Sequence, residues 1–214
     1  MRSEHATLTR VAMRVFPALL CVAGLAVMAT KASAQTNAQS DPAPGAMPNA
    51  PTNTQTTAQT AEPGTHIREL IPRAALVGRG RFTWFGFHVY DGALFAPERK
   101  FDVNQPHALE LTYARELKGV KIAERSIDEI AALGIGTETE RAAWLPLLTR
   151  IFPDVRQGDR LAGVSSSDKA QFFFNGKAAG EITDAKLARA FFAIWLDART
   201  SAPAFRARLL GLDK

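Results

Sequence analysis

The sequence predicts an α+β domain with helices packed on one face of a largely antiparallel sheet. Three patterns carry that expectation. Leu76 to Pro97 is rich in aromatic and β-branched residues and broken by glycines, which reads as a ribbon of paired strands with Gly86 at the bend or bulge. From Lys118 the apolar period lengthens to helical spacing. After Asp159 short strands return, and a second helical stripe follows Thr183.

The chain has 214 residues, and the folded part is expected to begin well inside it. Arg2, Arg10 and Arg14 precede an almost wholly apolar run, Val15 to Ala29, and the small residues Ala32-Ser33-Ala34 follow. That layout predicts a secretory signal peptide over 1–34, cleaved after Ala34, and hence a periplasmic or secreted protein. The apolar run is shorter than the ~20 residues of a spanning helix, so no transmembrane segment is expected after cleavage. Cys21 is the only cysteine and lies in that run, so the exported chain would hold no disulfide or thiol nucleophile. Residues 1–34 also carry +3 of the chain's formal +5, which leaves little basic excess for a nucleic-acid partner. Residues 35–65 are Ala, Pro, Thr, Asn and Gln with almost no large side chain, and predict a disordered linker. Residues 66–214 remain, enough for one domain with a real core.

Within that domain, Ile67 to Ile71 reads as a first short strand. His107 to Ala114 alternates apolar and polar residues as a half-buried strand does. Val120, Ile122, Ala123, Ile127, Ile130 and Ala131 form one face of a helix that Gly134 and Gly136 stop. Thr137 and Glu140 fit a capping box that opens a second helix, in which Pro146 predicts a kink or break. Strands are expected over Asp159–Ser165, Ala170–Phe174 and Lys177–Ile182, with Asn175-Gly176 as a two-residue hairpin turn. Thr183 is the expected cap of a helix carrying Leu187, Ala190, Phe191, Ile194 and Trp195. Pro203 opens a short last helix ending near Gly211.

Motifs for catalysis are sparse. His66, His88 and His107 fall in a tail, a strand and a loop, at no metal-ligand spacing, so neither a metal nor a cofactor is expected. Ser165-Ser166-Ser167 lacks the glycines of a nucleophile elbow. Gly78-Arg79-Gly80 precedes a strand, which makes a poor phosphate loop. Glu124, Asp128 and Glu129, interleaved with Lys121 and Arg125, read as a solvated helix face. The aromatic residues of the ribbon serve as core or as the wall of an apolar cleft.

Several separated blocks nevertheless resemble one family. Gly78-Arg-Gly80 with Phe87-His-Val-Tyr-Asp-Gly-Ala-Leu-Phe95 is similar to the opening ribbon of bacterial chalcone isomerase-like proteins. Leu117 to Ser126 resembles their first helix, and Ala190 to Asp197, Thr200 to Pro203 and Leu209 to Gly211 resemble their closing helices. The resemblance implies an open-faced sandwich, a long curved antiparallel sheet with helices layered on one side. In the plant isomerases an arginine, a ribbon threonine, and a helix tyrosine and asparagine organise ring closure. Ungapped matching puts the threonine at Phe85, the tyrosine at Ile122 and the asparagine at Glu129, each losing a group the chemistry uses. The arginine falls at Arg73, with Arg79 and Arg81 close by.

Three functions follow from that resemblance. The first is a non-catalytic exported domain binding a small apolar or fatty-acid-like ligand, through Arg73, Arg79, Arg81, Phe85, Tyr90, Tyr113, Ile122 and Glu129. The second is an isomerase or lyase with a different catalytic set, for which Tyr113, Glu129 and Arg73 are the first suspects. The third is a protein-interaction module whose partner the sequence leaves unknown.

Overall fold

A computed structural model describes residues 62–166 and 168–213, all within one compact unit of the chain. The expected signal peptide and nearly all of the expected linker lie outside the described residues.

Six strands form one sheet in chain order, every neighbour antiparallel. They are β1 (Ala74–Trp84), β2 (Phe87–Pro97), β3 (His107–Tyr113), β4 (Arg160–Ser166), β5 (Lys169–Phe174) and β6 (Lys177–Ile182). β1 and β2 are the long ribbon, and register shifts at Leu76/Gly78 and Phe82/Thr83 bend it. Between β3 and β4 the chain leaves the sheet for α2 (Gly119–Ala132) and α3 (Glu138–Ile151); α4 (Ala185–Leu196) and α5 (Pro203–Leu209) close the domain.

Alternation along the strands decides what each face meets. Leu94, Leu109, Leu111, Leu161 and Phe172 point into the main core with Ile130, Leu148, Leu187 and Phe191 from the helices. Phe95, Ala108, Ala162 and Val164 point to the other face, where Ile67 and Ile71 cover them. Those two residues sit on and just after a helical turn, α1 (Thr65–Leu70), and not on the short strand expected there. Their spacing of four buries Ile67 and Ile71 together on a helical turn, and a strand's alternation would also put both on one face, so the pair by itself does not tell the two apart. His66 is therefore on this helix, packed on Phe173, and His107 opens β3 as a buried residue.

The capping box forms as expected, with Glu140 N donating to Thr137 Oγ1 and Thr137 N donating to Glu140 Oε2. α3 then runs through Pro146 in one piece. Trp144 and Leu148 bury one face around it, while Pro146 and Ala142, whose carbonyl would have paired with its N–H, are exposed to water. The α4 cap is Asp184, one residue past Thr183. Its carboxylate accepts from Lys186 N, Leu187 N and Trp144 Nε1, tying α3 to α4.

Gly78-Arg79-Gly80 is a seat for α5. A methyl group on Gly78 would lie 2.2 Å from the Arg208 carbonyl oxygen, and one on Gly92 2.6 Å from the Phe205 ring. The missing side chains let the last helix lie directly on the ribbon.

Candidate functional site

The hairpin end of the ribbon, the exposed edge of α2 and the α4–α5 connection converge on Tyr90. Register places Tyr90 on β2 opposite Phe82 on β1 and Tyr113 on β3. Phe82 stacks on its ring at 4.8 Å, and Tyr113 and Phe205 meet it edge-on at 5.9 and 5.8 Å. Trp195 of α4 donates its indole N–H to the Tyr90 hydroxyl at 3.0 Å. Burial pushes both tyrosine hydroxyls well above the ordinary tyrosine range. They stay protonated, and the Tyr90 hydroxyl serves as a hydrogen-bond acceptor, not as a base.

A polar group borders this aromatic wall. On α2, Arg125 and Glu129 are one turn apart, and the Arg125 Nη2 donates to Glu129 Oε1. The Glu129 side chain is only 12% exposed, and its second oxygen accepts from Ser201 Oγ at 2.7 Å. After the dominant raising effect of burial and the lowering effect of the Trp195 hydrogen bond, both charges act on the Tyr90 hydroxyl, Glu129 raising and Arg125 lowering its pKa. The Arg125 guanidinium also lies 4.8 Å over the Trp84 ring. Glu129 engages one of its nitrogens and the Arg125 side chain is half-exposed, so other N–H donors remain open to solvent.

Of the residues expected at a site, the structure gathers Tyr90, Tyr113 and Glu129, with Ile122 packed against the core from the same helix as Glu129. It separates the three ribbon arginines from them. Arg73 precedes β1 at the end of the ribbon away from the hairpin turn, and pairs with Glu98 at 2.5 Å. Gly78, Gly80 and Phe82 face α5 and Tyr90, so alternation turns Arg79 and Arg81 to the other face. There Arg81 pairs with Asp91, its register neighbour. Phe85 is at the hairpin tip and 81% exposed.

Sequence reasoning passed over Arg125, Trp195 and Ser201 as site residues. Arg125 and Glu129 were visible as an i, i+4 pair, yet only the packing of α2 against the ribbon separates this pair from a solvated one. An open depression of about 290 Å³ lies at the opposite edge of the sheet between the end of α3 and the β5–β6 hairpin. Arg150 and Lys177 stand at it over Phe152 and Phe174. Among the described residues no group of three His, Cys, Asp or Glu side chains could hold a metal, and no helix is long and apolar enough to cross a membrane.

Comparison with known proteins agrees with this architecture. An uncharacterized protein of Haemophilus influenzae is 30% identical over 139 residues, 64% of this chain and 68% of the relative. The crystal structure of a fatty-acid binding protein of Arabidopsis thaliana superposes with a TM-score of 0.52 at 12% identity, covering 65% of this chain and 87% of that one. At that identity the likeness speaks to the fold. Residues 73–211, from the start of the ribbon to the end of α5, match the chalcone isomerase-like family, and the chain belongs to it.

Proposed function

We propose that this chain is exported and that its domain binds a small apolar acid beside Arg125 and Tyr90 without catalysing ring closure. The observation that carries this reading is the Arg125 guanidinium, half-exposed, 4.8 Å over the Trp84 ring and with N–H donors to spare beside the half-buried rings of Phe82 and Tyr90. A carboxylate would pair with the unused donors while its apolar body lies along the aromatic wall. Fatty-acid binding by the plant neighbour of the same fold supports this class of ligand. Against catalysis stand the two protonated tyrosines, one already committed to Trp195, and the loss of a hydroxyl at Phe85. The signal-like residues 1–34 support export.

Native mass spectrometry and organic extraction of protein purified from the periplasm test this. The expected result is a co-purifying carboxylic acid that is lost in Arg125→Ala. A ligand-free protein that also fails to take up medium- or long-chain fatty acids would overturn the reading. Incubation with a chalcone is expected to leave its visible absorbance unchanged.

A further inference from the structure

The β1–β2 turn is built against its own conformational preference. Phe85 and Gly86, its two central residues, both have positive φ, 47° and 81°. The β5–β6 hairpin makes the same kind of turn with Asn175 and Gly176 at 50° and 80°. Asparagine suits that first position; phenylalanine does not. Phe85 also contributes little to the fold, since it is 81% exposed and its one ring neighbour is Trp84, edge-on at 5.1 Å. Trp84 and Phe87 beside it are 48% and 64% exposed. Three of the seven exposed large apolar side chains among the described residues therefore fall within four positions, on a convex tip.

Two cations stand behind these rings. Arg125 covers the Trp84 face, and the Arg115 guanidinium lies 5.6 Å over Phe87. Among the described residues Arg115 has no carboxylate within ion-pair distance. Apolar rings at the apex with guanidinium groups one layer back match the profile of a membrane interface, acyl chains beneath a layer of phosphates. A convex two-residue turn offers no groove for a peptide or a small molecule, whereas a fluid lipid surface closes around it. Docking of two copies tip to tip would bring arginines of like charge together.

We infer that the Trp84–Phe87 tip docks the domain on a lipid surface, its rings entering the acyl boundary and Arg115 meeting anionic headgroups. The inference stands independently of ligand binding, since docking is measured with no acid added.

Flotation with phosphatidylethanolamine/phosphatidylglycerol vesicles tests it, comparing the full wild-type chain with a Phe85→Asn/Phe87→Thr variant so that all else cancels. The wild type is expected to float and to shift Trp84 emission to the blue. The double variant is expected to lose about tenfold or more in partitioning, because two phenyl groups no longer leave water. Its melting temperature, equal to or above that of the wild type, establishes that it folds. Arg115→Gln is expected to weaken binding to the anionic vesicles more than to phosphatidylcholine ones. Equal flotation of wild type and double variant would overturn the inference. So would absence of flotation, or a solution dimer that the double variant dissolves without any vesicle binding.

Discussion

Trp195 on α4 donates its indole N–H to the hydroxyl of Tyr90 on β2 at 3.0 Å, across 105 residues of sequence. This bond joins the ribbon to the closing helices. Tyr90→Phe leaves the largely buried indole N–H without a partner. The expected cost is about 1–3 kcal/mol, most of it the penalty of an unsatisfied donor. Urea unfolding of the variant and the parent measures it.

At the hairpin tip, Phe85→Asn replaces a residue strained at positive φ with one that tolerates it. Stability is expected to rise by about 1 kcal/mol, read from the urea midpoint. Phe85→Thr, which restores the hydroxyl of the plant ring-closing set, is expected to lower stability because a β-branched residue resists positive φ. It is also expected to leave a chalcone unchanged, since the tip faces solvent.

The seat of α5 predicts graded costs. A methyl group at Gly78 meets the backbone oxygens of Arg208 and Leu209, at 2.2 and 2.6 Å, and backbone cannot step aside. At Gly92 it meets the end of the Phe205 ring at 2.6 Å. Both alanine variants are expected to destabilise by about 1–3 kcal/mol, Gly78→Ala more, as thermal unfolding would show.

Stability should fall on mild acidification. His107 is buried between Phe101 and Phe192, and that burial lowers its pKa below 6.5, against a smaller raising effect of the Gln105 carbonyl. As pH falls below 6.5 the unfolded chain takes up a proton that the folded chain does not, so folding weakens. His66 is shifted in the same direction, mainly by desolvation. His107→Gln is therefore expected to remove part of this pH dependence, measured by urea unfolding above and below pH 6.5.

Much of this domain was legible in its sequence because its elements carry local signatures. The Asn175-Gly176 turn, the Thr137–Glu140 capping box and Pro203 at the start of α5 each depend on neighbours a few residues away. The α1 turn was misread because Ile67 and Ile71 are too few apolar positions to separate a helix from a strand. The α4 cap is Asp184 and not Thr183 because the aspartate carboxylate accepts from Lys186 N and Leu187 N, and the Trp144 indole, 40 residues distant, shares it.

Periodicity and motif blocks were sufficient for the fold class and the family, since these rest on residue identity and spacing. The arginine that stands near Tyr90 could not be read that way. Arg79 and Arg81 lie close to Tyr90 in sequence, but strand alternation and the Phe82–Tyr90 register turn them to the opposite face. Arg125 lies 35 positions on and comes alongside because α2, packed on α3 and α4, carries it over Trp84 at the hairpin end of the ribbon. Side-chain direction in a strand flips with every residue, so a bend of one or two positions changes which charges share a site.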